Sequence, residues 1–268
     1  MFSQARYELG IVNSVGRLFG KRKALKFALC LPYILISREN RSVYERIAPC
    51  ETEIEGRKVV LPHPDARFLD EIVVERCYTK PGFEIGSHDT VIDLGANIGI
   101  FTILAAVRAR DGRVIALEPE EENFRFLRDN ITANLFSKVE TYRLAVSSVD
   151  RLVDLYVRGP NNSSMLKVTP KKRLKKVQKV ESVSMQSLIS RLRLPKIDFL
   201  KMDIEGAEYL VFQEESWLGY VKRIAMEIHP DLGKPDTIRR ILEEHNFVVD
   251  IMPARDKGQL YFYAFQKQ

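Results

Sequence analysis

The sequence is poor in cysteine and has no hydrophobic run long enough to span a membrane. Its three cysteines, Cys30, Cys50 and Cys77, are odd in number and far apart. This spacing provides neither a disulfide framework nor a zinc site, and it favours a reducing, cytoplasmic location. The apolar stretch at residues 24–36 is shorter than the ~20 residues that a bilayer span requires, and Pro32 interrupts it. No small-residue cleavage site follows this stretch, so no signal peptide is predicted.

Two basic stretches contain no acidic residue at all. Segment 21–26 holds four basic residues and segment 171–179 holds six, so the formal net charge of +6 leaves 6 − 10 = −4 for the rest of the chain. We interpret the first segment and the apolar residues after it as an N-terminal helix packed on the domain, with a helix on a membrane surface as the alternative. The second segment is interpreted as a solvated loop, with binding to an anionic acceptor or a membrane surface as the alternative.

The length of 268 residues suits one large domain, or one domain with an extension. We predict a basic, mainly helical N-terminal extension over residues 1–64, with a small hairpin at 51–61. Residues 65–268 are predicted to form the main domain, and its first segment, 65–78, has helical spacing. The sequence shows no internal repeat.

From Thr90 onward, apolar strands alternate with amphipathic helices. This alternation predicts an α/β fold with a mostly parallel sheet that is covered on both faces. The last of its seven strands is predicted to be antiparallel, because the connection before it is short. The predicted strands are 90–94, 113–118, 139–144, 197–202, 221–227, 247–252 and 259–265. The predicted helices are 98–110, 120–134, 184–192, 207–215 and 234–245. Residues 152–157 are predicted as a further extended piece, and 161–179 as a long loop.

The first strand of this sheet runs into a glycine-rich turn, Asp93-Leu94-Gly95-Ala96-Asn97-Ile98-Gly99. A strand, a glycine turn and a helix in succession are typical of a site for a nucleotide-like cofactor, because the amides of the turn point outward at the positive end of the helix dipole. We assign Gly95 to the tight turn and Gly99 to the close packing of the helix on the strand. Asn97 stands where dinucleotide sites prefer glycine, and Asp93 would repel a pyrophosphate. The turn therefore favours a cationic cofactor such as S-adenosyl-L-methionine.

Acidic residues follow three other strands of the predicted sheet. Glu118-Pro119 ends the second strand, Asp203, Glu205 and Glu208 follow the fourth, and Glu227 and His229 end the fifth. Because ligands bind at the carboxyl ends of parallel strands, we expect these side chains at one site. Glu118 is positioned to accept two hydrogen bonds from a ribose diol.

The same strand ends supply candidates for catalysis. Transfer of a methyl group to an alcohol requires a side chain that removes the hydroxyl proton. His229 is the candidate base with Glu227 as its orienting partner, and a surface histidine is the alternative. We expect Asp203, Glu205 and Glu208 to bind acceptor hydroxyls or the ammonium group of the cofactor. Coordination of a divalent cation by these carboxylates is the disfavoured alternative, so no metal site is predicted.

Together these residues resemble those of the FkbM-type methyltransferases. The resemblance covers about Glu71 to Phe265, and Gln186 stands where the family usually has an aspartate. It is carried by Asp93–Gly99, Glu118-Pro119, Asn130 with Asn134, Ser163-Ser164, Val183–Leu188, Leu200–Glu208, and Glu227 with His229. It implies a class I methyltransferase (Rossmann-like) fold and S-adenosyl-L-methionine as the methyl donor.

The resemblance also implies O-methylation of a sugar or of another small or polymer-linked hydroxyl compound. By position in the family, Asp93 to Asn97 hold the methionine part of the cofactor and Glu118 holds the ribose. Leu144 and Ala145 border the adenine. Residues 1 to about 60 lie outside the resemblance.

Three alternative functions stay open at this point, and one of them is a binding module that holds the cofactor without transferring a group. An NAD-dependent oxidoreductase is disfavoured by Asn97, by the acids after the fourth strand and by the antiparallel last strand. A methyltransferase directed at nucleic acid or another polyanion is the second alternative. Enzymes that methylate bases typically carry Asp/Asn-Pro-Pro-aromatic after the fourth strand, whereas this chain has Asp203-Ile204-Glu205-Gly206. The sequence identifies neither the acceptor nor the oligomeric state.

Overall fold

The computed structural model describes residues 50–157, 164–165, 176–254 and 258–267. The predicted N-terminal helix and the basic segment 21–26 lie outside these residues, as does 171–175 of the second basic segment. Within the described ranges, no helix is long and apolar enough to cross a membrane.

An antiparallel hairpin opens the described part of the chain. Its strands are β1 (Cys50–Ile54) and β2 (Arg57–Leu61). The two residues between them, Glu55 and Gly56, both have positive φ, at 51° and 78°. This backbone matches the twist of the flanking strands in a two-residue hairpin. The hairpin predicted at 51–61 is therefore confirmed.

A short, irregular helix follows the hairpin. Helix α1 is α-helical over Ala66–Phe68 and π-helical over Leu69–Val74. The helical spacing predicted over 65–78 thus corresponds to a shorter helix, and the loop after it leads to the central sheet. Leu69 and Ile72 are buried in the core beneath it, so this helix is anchored to the domain by its apolar face.

The centre of the protein is a seven-stranded sheet. Its strands in chain order are β3 (Thr90–Leu94), β4 (Arg113–Leu117), β5 (Val139–Tyr142), β10 (Phe199–Met202), β11 (Arg223–Ile228), β12 (Phe247–Pro253) and β13 (Leu260–Gln266). Their spatial order is β12-β13-β11-β10-β3-β4-β5, and β13 runs antiparallel to both of its neighbours. The predicted α/β fold with an antiparallel last strand is confirmed.

Helices cover both faces of this sheet. They are α2 (Ile100–Arg108), α3 (Glu121–Thr132), α4 (Met185–Leu192), α5 (Glu208–Val211) and α6 (Pro235–Glu244), with a 3₁₀ turn at Ser216–Tyr220. Ser184 caps α4 by accepting a hydrogen bond from the amide of Ser187, as predicted. Helix α5 is shorter than the predicted 207–215. One core contains Phe101 and Phe199, and the core on the other face contains Trp217.

Strand order reverses between β3 and β10. The chain runs from β3 outward to β4 and β5, and then returns to place β10 on the other side of β3. Such a reversal opens a crevice outside the carboxyl ends of the strands, where ligands bind in sheets of this kind. The glycine turn after β3 and the acidic segment after β10 therefore lie at the same edge.

A second sheet of four strands was not predicted. It contains β6 (Ala145–Val146), β7 (Arg151–Val157), β8 (Ser164–Met165) and β9 (Lys176–Val183), in the order β6-β9-β7-β8. The extended piece predicted at 152–157 belongs to it. The long loop predicted at 161–179 is wrong at 164–165 and from Lys176 onward, where the chain is in strands. Basic Lys179 lies in β9 and pairs with Asp154 at 2.6 Å.

Candidate functional site

A cavity of about 160 Å³ lies at the switch point of the sheet. The glycine turn, the end of β4 and the start of β6 line one end of it. Helix α1, the loop before β3 and the ends of β10 and β11 line the other end. We call these the turn end and the acid end. The turn end includes Gly95, Ala96, Asn97, Glu118, Pro119, Leu144 and Ala145. The acid end includes Glu71, Tyr78, Asp203, Glu205 and Glu227.

Close packing explains both glycines of the turn. Gly95 has a φ of 73°, and a Cβ atom there would lie 1.8 Å from the backbone oxygen of Asp203. Gly99 has a φ of 89°, and its Cβ would lie 2.6 Å from Cδ1 of Leu127 on α3. Gly95 thus allows the tight turn that was predicted, and it also allows β10 to approach. Gly99 admits a side chain from the next helix, which differs from the predicted role in packing α2 on β3.

Four amides of the turn donate hydrogen bonds within the protein. The amides of Gly95 and Ala96 both donate to the carbonyl of Leu117 at 3.0 Å. The amide of Asn97 donates to Oε2 of Glu118 at 2.8 Å, and that of Gly99 donates to the carbonyl of Ala96. The expectation that the turn amides point outward toward a ligand is therefore wrong for these four, and it stays a prediction for the amide of Ile98. A pyrophosphate bound at such a turn requires free amide donors, and these four have partners.

Glu118 presents a buried carboxyl group to the turn end of the cavity. Its Oε1 accepts a hydrogen bond from the amide of Glu120 at 2.9 Å, and its Oε2 accepts the one from Asn97. Burial raises the pKa of Glu118 to about 7, although these two hydrogen bonds act to lower it. Each carboxylate oxygen can accept a further hydrogen bond. Glu118 is therefore suited to a ligand with two neighbouring hydroxyl groups.

Asp93 is fully buried and does not line the cavity. Its Oδ1 lies 3.1 Å from Nζ of Lys201, and its Oδ2 accepts a hydrogen bond from the hydroxyl of Thr102 at 2.6 Å. Lys201 also donates to the carbonyls of Leu94 and Gly95, at 3.2 Å and 2.8 Å. Burial alone would lower the pKa of Lys201, but the nearby Asp93 and Asp203 raise it. Asp93 thus acts on the turn through Lys201, and its own contact with a cofactor stays a prediction.

Tyr78 links the two carboxyl groups that end β10 and β11. Its hydroxyl donates to Oδ2 of Asp203 at 3.0 Å and lies 3.5 Å from Oε2 of Glu227. Burial, followed by the charge of Asp203, raises the pKa of Glu227 to about 9. Glu227 is therefore protonated at neutral pH, which lets it lie beside Asp203 without repulsion between two charges.

His229 does not have the partner that was predicted for it. Its Nε2 lies 3.6 Å from Glu205 and its Nδ1 lies 3.5 Å from Glu208, whereas Glu227 makes no hydrogen bond to it. Burial alone would lower the pKa of His229, but Glu208, Asp203 and Glu205 raise it to about 10. An imidazole that is already protonated at neutral pH is a poor proton acceptor. The predicted pairing of His229 with Glu227 is therefore wrong, and His229, which lies outside the cavity lining, is not favoured as the base.

The structure brings together most of the residues selected from the sequence. Ten of them line the cavity, whereas Asp93, Gly99, Glu208 and His229 do not. Sequence reasoning assigned no role to Lys201 or Tyr78, which also line it. A lysine inside the otherwise apolar strand β10 was a usable signal for Lys201. Tyr78 carried no such signal, because its position depends on the path of the loop after α1.

Among the residues that the structure describes, no three or more His, Cys, Asp or Glu side chains are grouped so as to hold a metal ion. The described ionisable groups that line the cavity are instead five carboxyl groups, one lysine and the Tyr78 hydroxyl. Since Lys201 is paired with Asp93, the cavity favours ligands that donate hydrogen bonds or carry positive charge.

Comparisons with known proteins place these features in context. A family model described as "Methyltransferase FkbM domain" matches residues 93–249. Methyltransferase 1 of Beauveria bassiana is 25% identical over 202 residues, which is 68% of this chain and 80% of that protein. The 31-O-demethyl-FK506 methyltransferase FkbM of Streptomyces tacrolimicus is 24% identical over 219 residues, which is 69% of this chain and 83% of that protein. A crystal structure of the methyltransferase FkbM from Methylobacillus flagellatus has a TM-score of 0.48 at 14% identity, covering 97% of this chain and 59% of that one.

Proposed function

The chain belongs to the FkbM methyltransferase family, and on that basis we propose that it transfers a methyl group from S-adenosyl-L-methionine to a hydroxyl group. The acceptor in this proposal is a sugar or another small or polymer-linked hydroxyl compound. The turn end of the cavity holds the cofactor, and the acid end holds the acceptor.

The observation that carries the proposal is how the turn end makes its hydrogen bonds. The amides of Gly95, Ala96, Asn97 and Gly99 are all bonded within the protein. The turn therefore offers no cradle of these amides to a pyrophosphate, and a carboxyl group, Glu118, faces the cavity in its place. This chemistry suits a cofactor with a ribose diol and positive charge better than a dinucleotide.

The residues of the turn end fit S-adenosyl-L-methionine part by part. The two oxygens of Glu118 accept hydrogen bonds from the ribose hydroxyls, and the cost of burying this carboxyl group is offset when a ligand donates to it. Pro119, Leu144 and Ala145 supply apolar contacts for the adenine. The negative lining favours the ammonium and sulfonium groups. When bound, the cofactor supplies a methyl group on a sulfonium, which is a good leaving group.

The acid end supplies the proton acceptor. Asp203 lines the cavity and is the candidate base in place of His229. Glu205 and Glu71 line the same end and accept hydrogen bonds from further acceptor hydroxyls. His229, held between Glu205 and Glu208, orients Glu205 and supports the segment after β10. Methyl transfer depends mainly on alignment of the acceptor oxygen with the sulfur–methyl bond. Side chains that hold the acceptor in place therefore contribute to the rate.

Titration calorimetry with S-adenosyl-L-methionine, S-adenosylhomocysteine and NAD tests the donor. We expect the two adenosyl compounds to bind and NAD not to bind, and tight binding of NAD alone would overturn the proposal. Release of S-adenosylhomocysteine in the presence of monosaccharides, methyl glycosides and polyols tests the acceptor class. Mass spectrometry of the product then locates the new methyl group on oxygen.

Because the chain belongs to a methyltransferase family, the NAD-dependent oxidoreductase alternative is discarded. Methylation of a nucleic acid or another polyanion remains the second candidate, because of the basic segments 21–26 and 171–179. Of segment 171–179, only the residues from Lys176 onward, including Lys179 in β9, lie within the part of the chain that the structure describes. Neutralising the basic residues of 171–179 and finding unchanged acceptor kinetics would remove this candidate.

Peripheral binding to an anionic membrane is tested by flotation with vesicles that contain phosphatidylserine.

A further inference from the structure

Tyr78 lies between the two carboxyl groups at the acid end of the cavity. Its hydroxyl donates to Asp203 at 3.0 Å, and its oxygen lies 3.5 Å from Glu227. All three side chains line the cavity. Tyr78 precedes residues 93–249, which the family model matches, so the family motif by itself does not identify it.

The ring of Tyr78 is held on several sides. It packs edge-on against Phe101 and Tyr261, with ring centroids 5.7 Å and 5.6 Å away. The ammonium of Lys201 lies 5.3 Å from its ring centroid. Only 4% of Tyr78 is exposed. Such packing leaves the hydroxyl little freedom to leave Asp203.

The hydrogen-bond capacity of a phenol limits which of the two carboxyl groups Tyr78 can donate to. A tyrosine hydroxyl has one proton to donate, and its oxygen can accept a bond in return. Because that proton goes to Asp203, the approach of Glu227 is favourable when the carboxyl group of Glu227 is protonated and donates to the tyrosine oxygen. The raised pKa of Glu227, about 9, meets this condition at neutral pH. The shorter distance assigns the proton of Tyr78 to Asp203, and Glu227 lies within reach of the tyrosine oxygen.

We propose that Tyr78 is a positioning residue for methyl transfer, whose hydroxyl holds the carboxylate of Asp203 in the orientation that receives the proton of the acceptor hydroxyl. The inference rests on the proposed function and adds to it the residue that orients the base. In the step concerned, the O–H bond of the acceptor breaks and its electron pair stays on oxygen. The proton forms a bond to an oxygen of Asp203.

Two tyrosine variants separate this role from a structural one. Tyr78→Phe removes the hydroxyl and keeps the packed ring. Tyr261→Phe is the matched control, because its hydroxyl donates to Glu71 and its ring packs on Tyr78 without touching Asp203. Crystal structures of the full-length wild type and of both variants, without ligand, show the orientation of Asp203. Calorimetry measures S-adenosyl-L-methionine binding, and steady-state kinetics uses the best acceptor from the sugar and polyol panel.

We expect the Asp203 carboxylate to rotate or lose its order in Tyr78→Phe and to keep its place in Tyr261→Phe. In Tyr78→Phe, kcat should fall roughly 10- to 100-fold, while the KM and Kd for S-adenosyl-L-methionine stay within about twofold of the wild type. An Asp203 that stays in place in Tyr78→Phe overturns the proposal, and so does an equal loss of kcat in the control. The crystallographic comparison needs no acceptor and no cofactor. A wild type that fails to bind S-adenosyl-L-methionine overturns the proposed function, whereas the crystallographic comparison still decides whether Tyr78 orients Asp203.

Discussion

Lys201 and Asp93 are direct cross-strand partners, and their side chains form a buried ion pair. Residue 201 on β10 is in register with residue 93 on β3, and Nζ lies 3.1 Å from Oδ1. Asp93 is 0% exposed and Lys201 is 3% exposed. The same ammonium donates to two carbonyls where β3 meets the glycine turn. One buried cation thus ties the two strands on either side of the switch point to the turn that lines the cavity.

Removing one member of this pair should lower the free energy of unfolding far more than removing both. Lys201→Met leaves Asp93 charged and buried without a cation, so we expect a loss of about 3–5 kcal/mol in the free energy of unfolding. The double variant Asp93→Asn, Lys201→Met should recover a large part of that loss, because no unpaired charge remains. Urea denaturation of the wild type, the two single variants and the double variant measures the coupling. Losses that simply add would contradict the pairing.

The amide side chain of Asn134 should prove essential for docking the hairpin. The amide of Val60 on β2 donates to Oδ1 of Asn134 at 2.8 Å, and Nδ2 of Asn134 donates to the carbonyl of Val60 at 2.6 Å. Asn134→Ala leaves both backbone groups without these partners, at a cost of about 1–3 kcal/mol. Hydrogen exchange at the Val60 amide should accelerate, whereas Thr132→Ala, an exposed change at the end of α3, should leave it unchanged. Unaltered protection of Val60 would show that other contacts hold the hairpin.

Cofactor affinity should depend on pH through Glu118. Burial raises the pKa of Glu118 to about 7, so its carboxyl group gains a proton as the pH falls below neutrality. Since the ionised form accepts both ribose hydroxyls, affinity for S-adenosyl-L-methionine should rise by up to about tenfold between about pH 6 and pH 8. Glu118→Gln should bind more weakly and show a flat profile over this range. Glu121→Gln, an exposed change at the start of α3, serves as the control in calorimetry, and a steep profile in Glu118→Gln would refute the assignment.

Stability should fall as the pH rises, in part because of Glu227. Burial, then the charges of Asp203, Glu71 and Glu205, raise the pKa of Glu227 from 4.5 to about 9, although His229 acts in the opposite direction. Between these values the folded protein keeps a proton that the unfolded chain releases. This group therefore lowers the free energy of unfolding as the pH rises through that window, by at most about 1.4 kcal/mol per pH unit.

Replacing Glu227 by glutamine isolates this contribution. Glu227→Gln should lose less stability than the wild type between neutral pH and about pH 9, as measured by thermal unfolding over a pH series. His229 contributes in the same direction, because its pKa is raised from 6.5 to about 10 and the stability from its imidazolium disappears as the pH rises. A weaker decline should therefore persist in the variant. Identical slopes for the two proteins would mean that Glu227 titrates normally.

Local patterns in the sequence determined most of the central sheet. The strand predicted at 90–94 has the bounds of β3, and the predicted hairpin at 51–61 corresponds to β1 and β2. Apolar runs, helical spacing, a cap at Ser184 and turn residues act over a few positions, so they can be recognised without knowledge of the rest of the chain. Because the carboxyl ends of parallel strands share one edge of a sheet, the sequence also predicted that Glu118, Asp203 and Glu227 lie at one site.

The second sheet escaped prediction because polar and apolar residues share the buried face of its strand β9. In β9 the buried positions include the polar Gln178 and Ser182, while Val177 is 50% exposed. Gln178 donates to Glu120 at 2.7 Å, and Ser182 shares a hydrogen bond with Ser147. These polar groups are buried only because distant partners satisfy them. A sequence pattern cannot reveal such partners, so the segment resembled a loop.

The sequence by itself determined the strands, the glycine turn and the acidic strand ends, since each of these follows from a short stretch of residues. Only the tertiary structure decided how those ends are connected. It buried Asp93 behind the cavity with Lys201, directed four of the turn amides inward and placed His229 between Glu205 and Glu208. It also brought Tyr78 to Asp203, a residue 125 positions away. The charge and orientation of these groups depend on burial and on distant neighbours, and both arise from strand order and register across the whole chain.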